Sequence, residues 1–298
     1  MLTEETKKSI ASDLKAFVSR YRSQSRAAAA LKGVSAATLS CLLNGKWDLI
    51  SDDMWLRVRS QAGKDSGWTI CRTNAFSDMM TYLSDSQDES SVTWVVAPAG
   101  SGKSTAAQAY AAGHANVYTL LCSEDMHRAD FIHELASATG VRTTGMTVRE
   151  CLHAIIRHLV TLDAPLLVFD EGDKLNDSVL YYFISLYNAL EGYCGMVFLS
   201  TSYMEQRVRR GVAAGKKGYD ELDSRISRRF VPLSPVSAEE VRAICEANGL
   251  TDKNAVASVV SDVSRYGFDL RRVRKAVHKE LRKAEIRSNA AQTASKRS

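Results

Sequence analysis

The sequence predicts an α/β core, a parallel five-stranded sheet flanked by helices, with a helical C-terminal lid and an N-terminal all-α helix-turn-helix unit. Three observations predict it. Apolar runs alternate with amphipathic stretches from Val92 to about residue 235, the βα order of a parallel sheet. A glycine-rich turn, Ala97-Pro98-Ala99-Gly100-Ser101-Gly102-Lys103-Ser104-Thr105, directly follows the first of these runs, Val92 to Val96. Further on, Leu166 to Phe169 is apolar without a polar break, as a strand buried on both faces should be, and it ends on Asp170 and Glu171.

Taken in chain order, residues 1–62 read as the small helical unit. Leu14, Phe17, Val18 and Tyr21 recur at helical spacing. An alanine-rich helix follows from Ser25, then a tight turn at Gly33, then a helix capped by Ser35 with Leu39 and Leu42 inward. This pair is similar to the phage-repressor type of helix-turn-helix. Ala36, Thr38, Ser40, Asn44 and Lys46 would then face a DNA groove. Few basic residues support a phosphate footprint here (Arg20, Arg22, Arg26, Lys32 and Lys46), and protein docking is the competing reading. A polar linker spans 62–67, a helix 74–83 follows, and an acidic, serine-rich loop 84–90 leads into the core; together 63–91 form linker and preceding helix.

The core spans 92–235. Strands are expected near 92–97, 117–122, 166–170, 195–200 and 230–233, with helices near 103–113, 126–138, 147–162, 175–190 and 203–210. Within the glycine-rich turn, Pro98 to Thr105 form a phosphate cradle of backbone N–H groups facing the positive end of the next helix. Lys103 would reach the β- and γ-phosphates of ATP and Ser104 would ligate Mg²⁺. The strict pattern asks for Gly at position 97, where this chain has Ala.

Asp170, at the strand tip roughly 65 residues further on, is the second candidate for the Mg²⁺ shell. Glu171 is the candidate that polarises the attacking water. Thr201 ends the fourth strand, where its hydroxyl would lie next to Asp170 and help place the water; a strand-end Thr is equally a good β residue.

Arg225, Arg228 and Arg229 crowd the approach to the fifth strand, and one of them would meet a neighbouring subunit's γ-phosphate. From 236 to 287 the pattern is wholly helical, near 237–248, 252–264 and 269–286, and Arg271 opens the last helix where a lid arginine would cover the nucleotide. The tail 288–298, rich in Ala, Ser, Lys and Arg, has no core-forming pattern and is expected to be disordered.

Charge is uneven. Residues 205–298 carry 21 Lys and Arg against 12 Asp and Glu, while residues 1–204 carry 18 against 22. Such asymmetry suits a polyanionic partner, with a solvated basic surface as the plain alternative. Arg207, Arg209, Arg210, Lys216 and Lys217 flank a glycine-containing loop, 211–215, which would track phosphates or simply lie free at the surface. Six scattered cysteines without a C-x-x-C pair read as reduced thiols and no zinc site is expected. No apolar run is long enough to span a membrane, and the acidic start Met1-Leu2-Thr3-Glu4-Glu5 is unlike a signal peptide, so a cytoplasmic location is expected.

Cradle, D-E strand end, Ser224-Arg225-Ile226 box and late helical lid with Leu270-Arg271 occur in the order that resembles the AAA+ ATPases, including the initiator-like clade. With a helix-turn-helix ahead of a single P-loop AAA+ core, the chain is similar to the transposon target-selection ATPases of the phage Mu B type. The resemblance implies ATP-dependent self-association into a filament or ring on duplex DNA, little sequence preference, and delivery of target DNA to a transposase. It also implies Arg225 as the finger and Arg271 as the second sensor. Ala97, and Thr201 in place of a polar amide, are departures that point to slow hydrolysis. Two other functions stay open: a replication initiator or helicase loader whose helix-turn-helix reads a defined sequence, and a nucleotide-switched adaptor whose N-terminal helices bind protein only.

Overall fold

In a computed structural model, which describes residues 2–19, 21, 23–48, 50–62, 68–226 and 229–295, the chain forms two compact units, Met1–Ile70 and Cys71–Ser298. The first unit holds four helices among the described residues: α1 (Glu4–Val18), α2 (Gln24–Ala29), α3 (Ala36–Leu43) and α4 (Asp52–Ala62). Each of the first three starts on a hydroxyl that accepts a backbone N–H three residues on, from Thr3, Ser23 and Ser35. Ile10, Leu14, Phe17, Leu39, Leu42, Trp55 and Val58 are buried together. Each such large side chain stabilises the unit by about 1.5–3 kcal/mol. The turn between α2 and α3 needs glycine: Gly33 has φ +72°, and a Cβ there would stand 2.5 Å from Arg57 Nη1.

Arg20, Arg22 and linker residues 63–67 lie outside the described residues. Ala62, read as the first linker residue, closes α4 and is buried.

The second unit begins with α5 (Asn74–Asp88) and continues β1 (Val92–Val96), α6 (Lys103–Gly113), β2 (Val117–Leu121), α7 (Arg128–Thr139), α8 (Val148–Leu159), β3 (Leu166–Asp170), α9 (Asp177–Leu190), β4 (Gly195–Ser200), α10 (Ser202–Ala213), α11 (Tyr219–Arg225) and β5 (Phe230–Pro232). All strands pair in parallel, in the order β2-β3-β4-β1-β5. Side chains alternate across it. Trp94, Phe169, Phe198 and Met196 meet residues of α7 to α11 on one face; Val95, Val168, Val197 and Leu199 meet α5 and α6 on the other. Covered on both faces, β4 is buried at every residue.

Three helices complete the unit: α12 (Ala238–Ala247), α13 (Lys253–Ser264) and α14 (Leu270–Ser295). They share the buried residues Val241, Ile244, Val259, Val263, Val273 and Val277.

Four expectations change. The stretch 84–90, read as a polar loop, is mostly the last turn of α5. Its polar side chains are used inward: Ser86 Oγ donates to Thr93 Oγ1 at 2.8 Å, and Gln87 Nε2 donates to Ala115 O and Ala164 O at 3.0 and 2.8 Å. A short helix, α11, occupies the arginine-rich approach to β5, and Gly211 sits inside α10 rather than in a loop, packed under the Tyr219 ring. The final helix runs on to Ser295, into the tail expected to be disordered.

Candidate nucleotide site

β1 and β3 flank β4, so the turn after β1, the carboxylates after β3 and the residue after β4 meet at one sheet edge. Such carboxyl-end crevices are where open parallel sheets bind ligands. Register fixes the depth: Val96 lies opposite Ser200, and Phe169 opposite Phe198.

The cradle is built on two left-handed glycines, Gly100 (φ +79°) and Gly102 (φ +93°). A Cβ at Gly100 would stand 2.2 Å from Asp269 Oδ1, and one at Gly102 would stand 3.2 Å from Leu270 Cδ1. Conformation and contact together require glycine at both positions. Leu270 N also donates to Gly100 O at 2.9 Å, which ties the start of α14 to the cradle. Ala97 is a different case. It extends β1, its N–H donating to Ser200 O at 3.1 Å, and its φ is not positive, so this backbone does not call for Gly there.

Lys103 opens α6 and its Nζ donates to Ala97 O (2.7 Å), Pro98 O (2.9 Å) and Ser101 Oγ (3.4 Å). Burial weakens the ammonium's hold on its proton and nearby Arg271 adds to this; Asp170, Asp173 and Glu171 oppose it. A half-buried cation between a cradle of amides and three carboxylates suits a phosphate chain carried with a divalent ion.

Ser104 and Asp170 are brought within hydrogen-bond reach of each other. Burial pushes the Asp170 carboxyl above its usual range, while the Ser104 hydroxyl and the Glu171 N–H, at 3.0 Å from Oδ1, pull it down. Their oxygens are the hard donors that fit Mg²⁺. Ser104 and Asp170 would hold such an ion, which would supply positive charge against a bound phosphate chain.

Glu171 has φ +57° and ψ +40°. This left-handed conformation is unusual for a residue with a side chain and costs on the order of 1 kcal/mol. Its carboxylate pairs with Lys174. The Thr201 hydroxyl, expected next to Asp170, donates to Asp173 Oδ2 at 2.7 Å. The 3-10 turn Gly172–Lys174 carries Asp173 to the end of β4. Nothing in the sequence separated Asp173 from an ordinary acidic turn residue.

Arg225 lies in a socket of its own chain. Nε and Nη2 donate to Asn188 Oδ1 at 3.0 and 2.8 Å, Nη1 donates to Glu221 O at 3.0 Å, and the guanidinium lies 5.6 Å from the Tyr187 ring centre. Arg228 falls outside the described residues. Of the two arginines that open α14, Arg272 is bound to Asp262 through two contacts of 3.0 and 2.8 Å and stacks on Tyr266, which leaves Arg271 as the exposed one near Lys103.

The DNA-contact candidates divide. In α3 and after it, Ala36, Asn44 and Lys46 are exposed, whereas Thr38 and Ser40 are half-buried; Thr38 Oγ1 is bonded to Ser35 Oγ (2.8 Å) and Asn44 donates to Ser40 Oγ (3.1 Å). In the second unit Arg207 is a correction. It is drawn inward, donating to Leu175 O (2.6 Å) and Tyr219 OH (3.0 Å) and pairing with Asp177. Lys216 pairs with the same carboxylate, Arg209 with Glu205, and Arg210 donates to Gln206 Oε1 at 3.1 Å. These three and Lys217 are exposed or half-exposed.

Residues 86–208 match a family described as AAA domain. That span covers the cradle, Asp170, Glu171 and Thr201, and stops before Arg225 and Arg271. No curated protein matches the chain. Among the described residues no helix is long and apolar enough to cross a membrane. On these grounds the second unit contains a P-loop α/β core, and its residues 86–208 are similar to an AAA domain.

Proposed function

We propose that this protein is an ATPase that assembles on duplex DNA in its ATP-bound state and selects or delivers target DNA to a transposase. The observation that carries the ATPase reading is the meeting of Lys103, Ser104, Asp170, Glu171 and Thr201 at one sheet edge, from three separate strands. Here Lys103 and the cradle amides bind the phosphates, Glu171 takes a proton from the attacking water once released from Lys174, and Arg271 covers the nucleotide. Arg225, held by Asn188 and Tyr187, serves the site of a neighbouring copy, so ATP joins one subunit to the next and hydrolysis breaks the link. The DNA part is supported by the Ser35-capped α3 with exposed Ala36, Asn44 and Lys46, and by the surplus of positive charge after residue 205. The transposase rests on the family resemblance alone.

Sedimentation of the full chain with random-sequence duplex, with and without ATP, tests the coupling. Glu171→Gln should hold the ATP-dependent complexes longer than wild type because hydrolysis is blocked. Equal DNA binding by both, with or without ATP, would overturn the switch. A large preference for one duplex sequence at matched salt would favour the initiator reading instead.

A further inference from the structure

Asp173, one of the three carboxylates near Lys103, also reaches the residue that ends β4. Its Oδ2 accepts two bonds from one residue, the Thr201 hydroxyl at 2.7 Å and the Thr201 N–H at 3.4 Å. Its main chain is held as well, Asp173 O accepting from Arg207 Nη1 at 3.4 Å. The turn that carries it lies flush on the sheet because Gly172 has no side chain: a Cβ there would stand 3.1 Å from Phe198 and 3.6 Å from Trp94. Asp173 is also close enough to strengthen Lys103's hold on its proton.

An ionised carboxylate only accepts hydrogen bonds, whereas a hydroxyl has one proton to donate and two lone pairs to offer. With its proton committed to Asp173, the Thr201 hydroxyl can only accept. An acceptor suits the hydrogens of a water molecule; it repels the oxygens of a phosphate. We propose that Asp173 is a positioning residue for hydrolysis, which polarises Thr201 into an acceptor that orients the attacking water. The inference rests on the reading of this site as hydrolytic.

Asp173→Asn keeps the shape of the turn but replaces the carboxylate with a neutral amide, a weaker acceptor that no longer polarises the Thr201 hydroxyl. Steady-state kinetics should show kcat about tenfold lower with KM within about twofold of wild type, the signature of an interaction made only in the transition state. Thr201→Val should lose a similar factor, Thr201→Ser should recover most of it, and the Asp173→Asn/Thr201→Val double variant should lose no more than either single one. A readout independent of turnover is retention of ADP with aluminium fluoride, which should drop about tenfold in Asp173→Asn while ADP alone binds as in wild type. Wild-type kcat in both Asp173→Asn and Thr201→Val, or a rise in KM with kcat unchanged, would overturn the proposal. Wild-type turnover no faster than Glu171→Gln would instead overturn the hydrolytic reading itself, and this inference with it.

Discussion

The cradle after β1 and the basic segment of α10 and α11 both read from sequence as places for an anion, and the folded chain treats them in opposite ways. In the cradle one half-buried cation, Lys103, is bonded to the loop's own oxygens and lies near carboxylates of other elements. In the basic segment, Arg207 and Lys216 converge on Asp177, Arg209 meets Glu205, and Arg225 meets Asn188. A spaced motif encodes backbone geometry, which survives folding as written. A surplus of charge encodes no partner, and folding assigns several of those charges to neighbours within the chain.

The sharpest break of this contrast is Lys103→Ala. It should lower kcat/KM for ATP by about 10²–10³, because phosphate charge loses its half-buried counterion; Lys216→Ala should leave kcat/KM unchanged. A comparable loss from both would erase the distinction.

Next in size is Arg207→Met, expected to cost about 1.5–3 kcal/mol in urea unfolding by removing the half-buried guanidinium from Asp177, which keeps Lys216 and Tyr219. The same pair has a pH signature. Burial alone would raise the Asp177 carboxyl, but Lys216, Arg207 and Tyr219 outweigh it and hold it well below the usual range. A depressed folded pKa stabilises above the unfolded value, near 4, and that stability fades as pH falls below it. Asp177→Asn should therefore flatten the acid limb of the stability profile below about pH 4.

The glycines give a third test. Gly100→Ala strains a φ of +79° and drives a Cβ onto Asp269, whereas Gly215→Ala strains a φ of +61° with open space around it. Gly215→Ala should cost about 1 kcal/mol and leave nucleotide affinity alone. Gly100→Ala should cost about 2 kcal/mol or more and weaken a fluorescent ATP analogue about tenfold. The smallest effect is expected of Lys217→Ala: if α10 and its following turn meet DNA, affinity falls a few-fold for every sequence and the salt slope drops by about one. An unchanged slope would remove Lys217 from the contact surface.

Much of the fold was legible because each strand of this sheet is a short apolar run bounded by turn residues, and all five were expected within a residue or two of where they lie. The cradle and the carboxylates at 170 and 171 were legible for the same local reason, since a glycine-rich turn after a strand carries its conformation in its own letters. The last turn of α5 was not, because Ser86 and Gln87 look like loop residues until Thr93, Ala115 and Ala164 supply their partners. Nor was α11, whose charges mask the buried Tyr219 and Leu222.

By itself, then, the sequence determined the strands, the helix cap at Ser35 and the glycine-rich turn after β1, all set by interactions a few residues apart. Only the tertiary structure decided that Thr201 answers to Asp173, that Arg207 belongs to Asp177, and that Asp269 and Leu270 press on Gly100 and Gly102. Each of these joins residues 28 or more positions apart, and such contacts exist only after the sheet has closed and brought the ends of its strands to one edge.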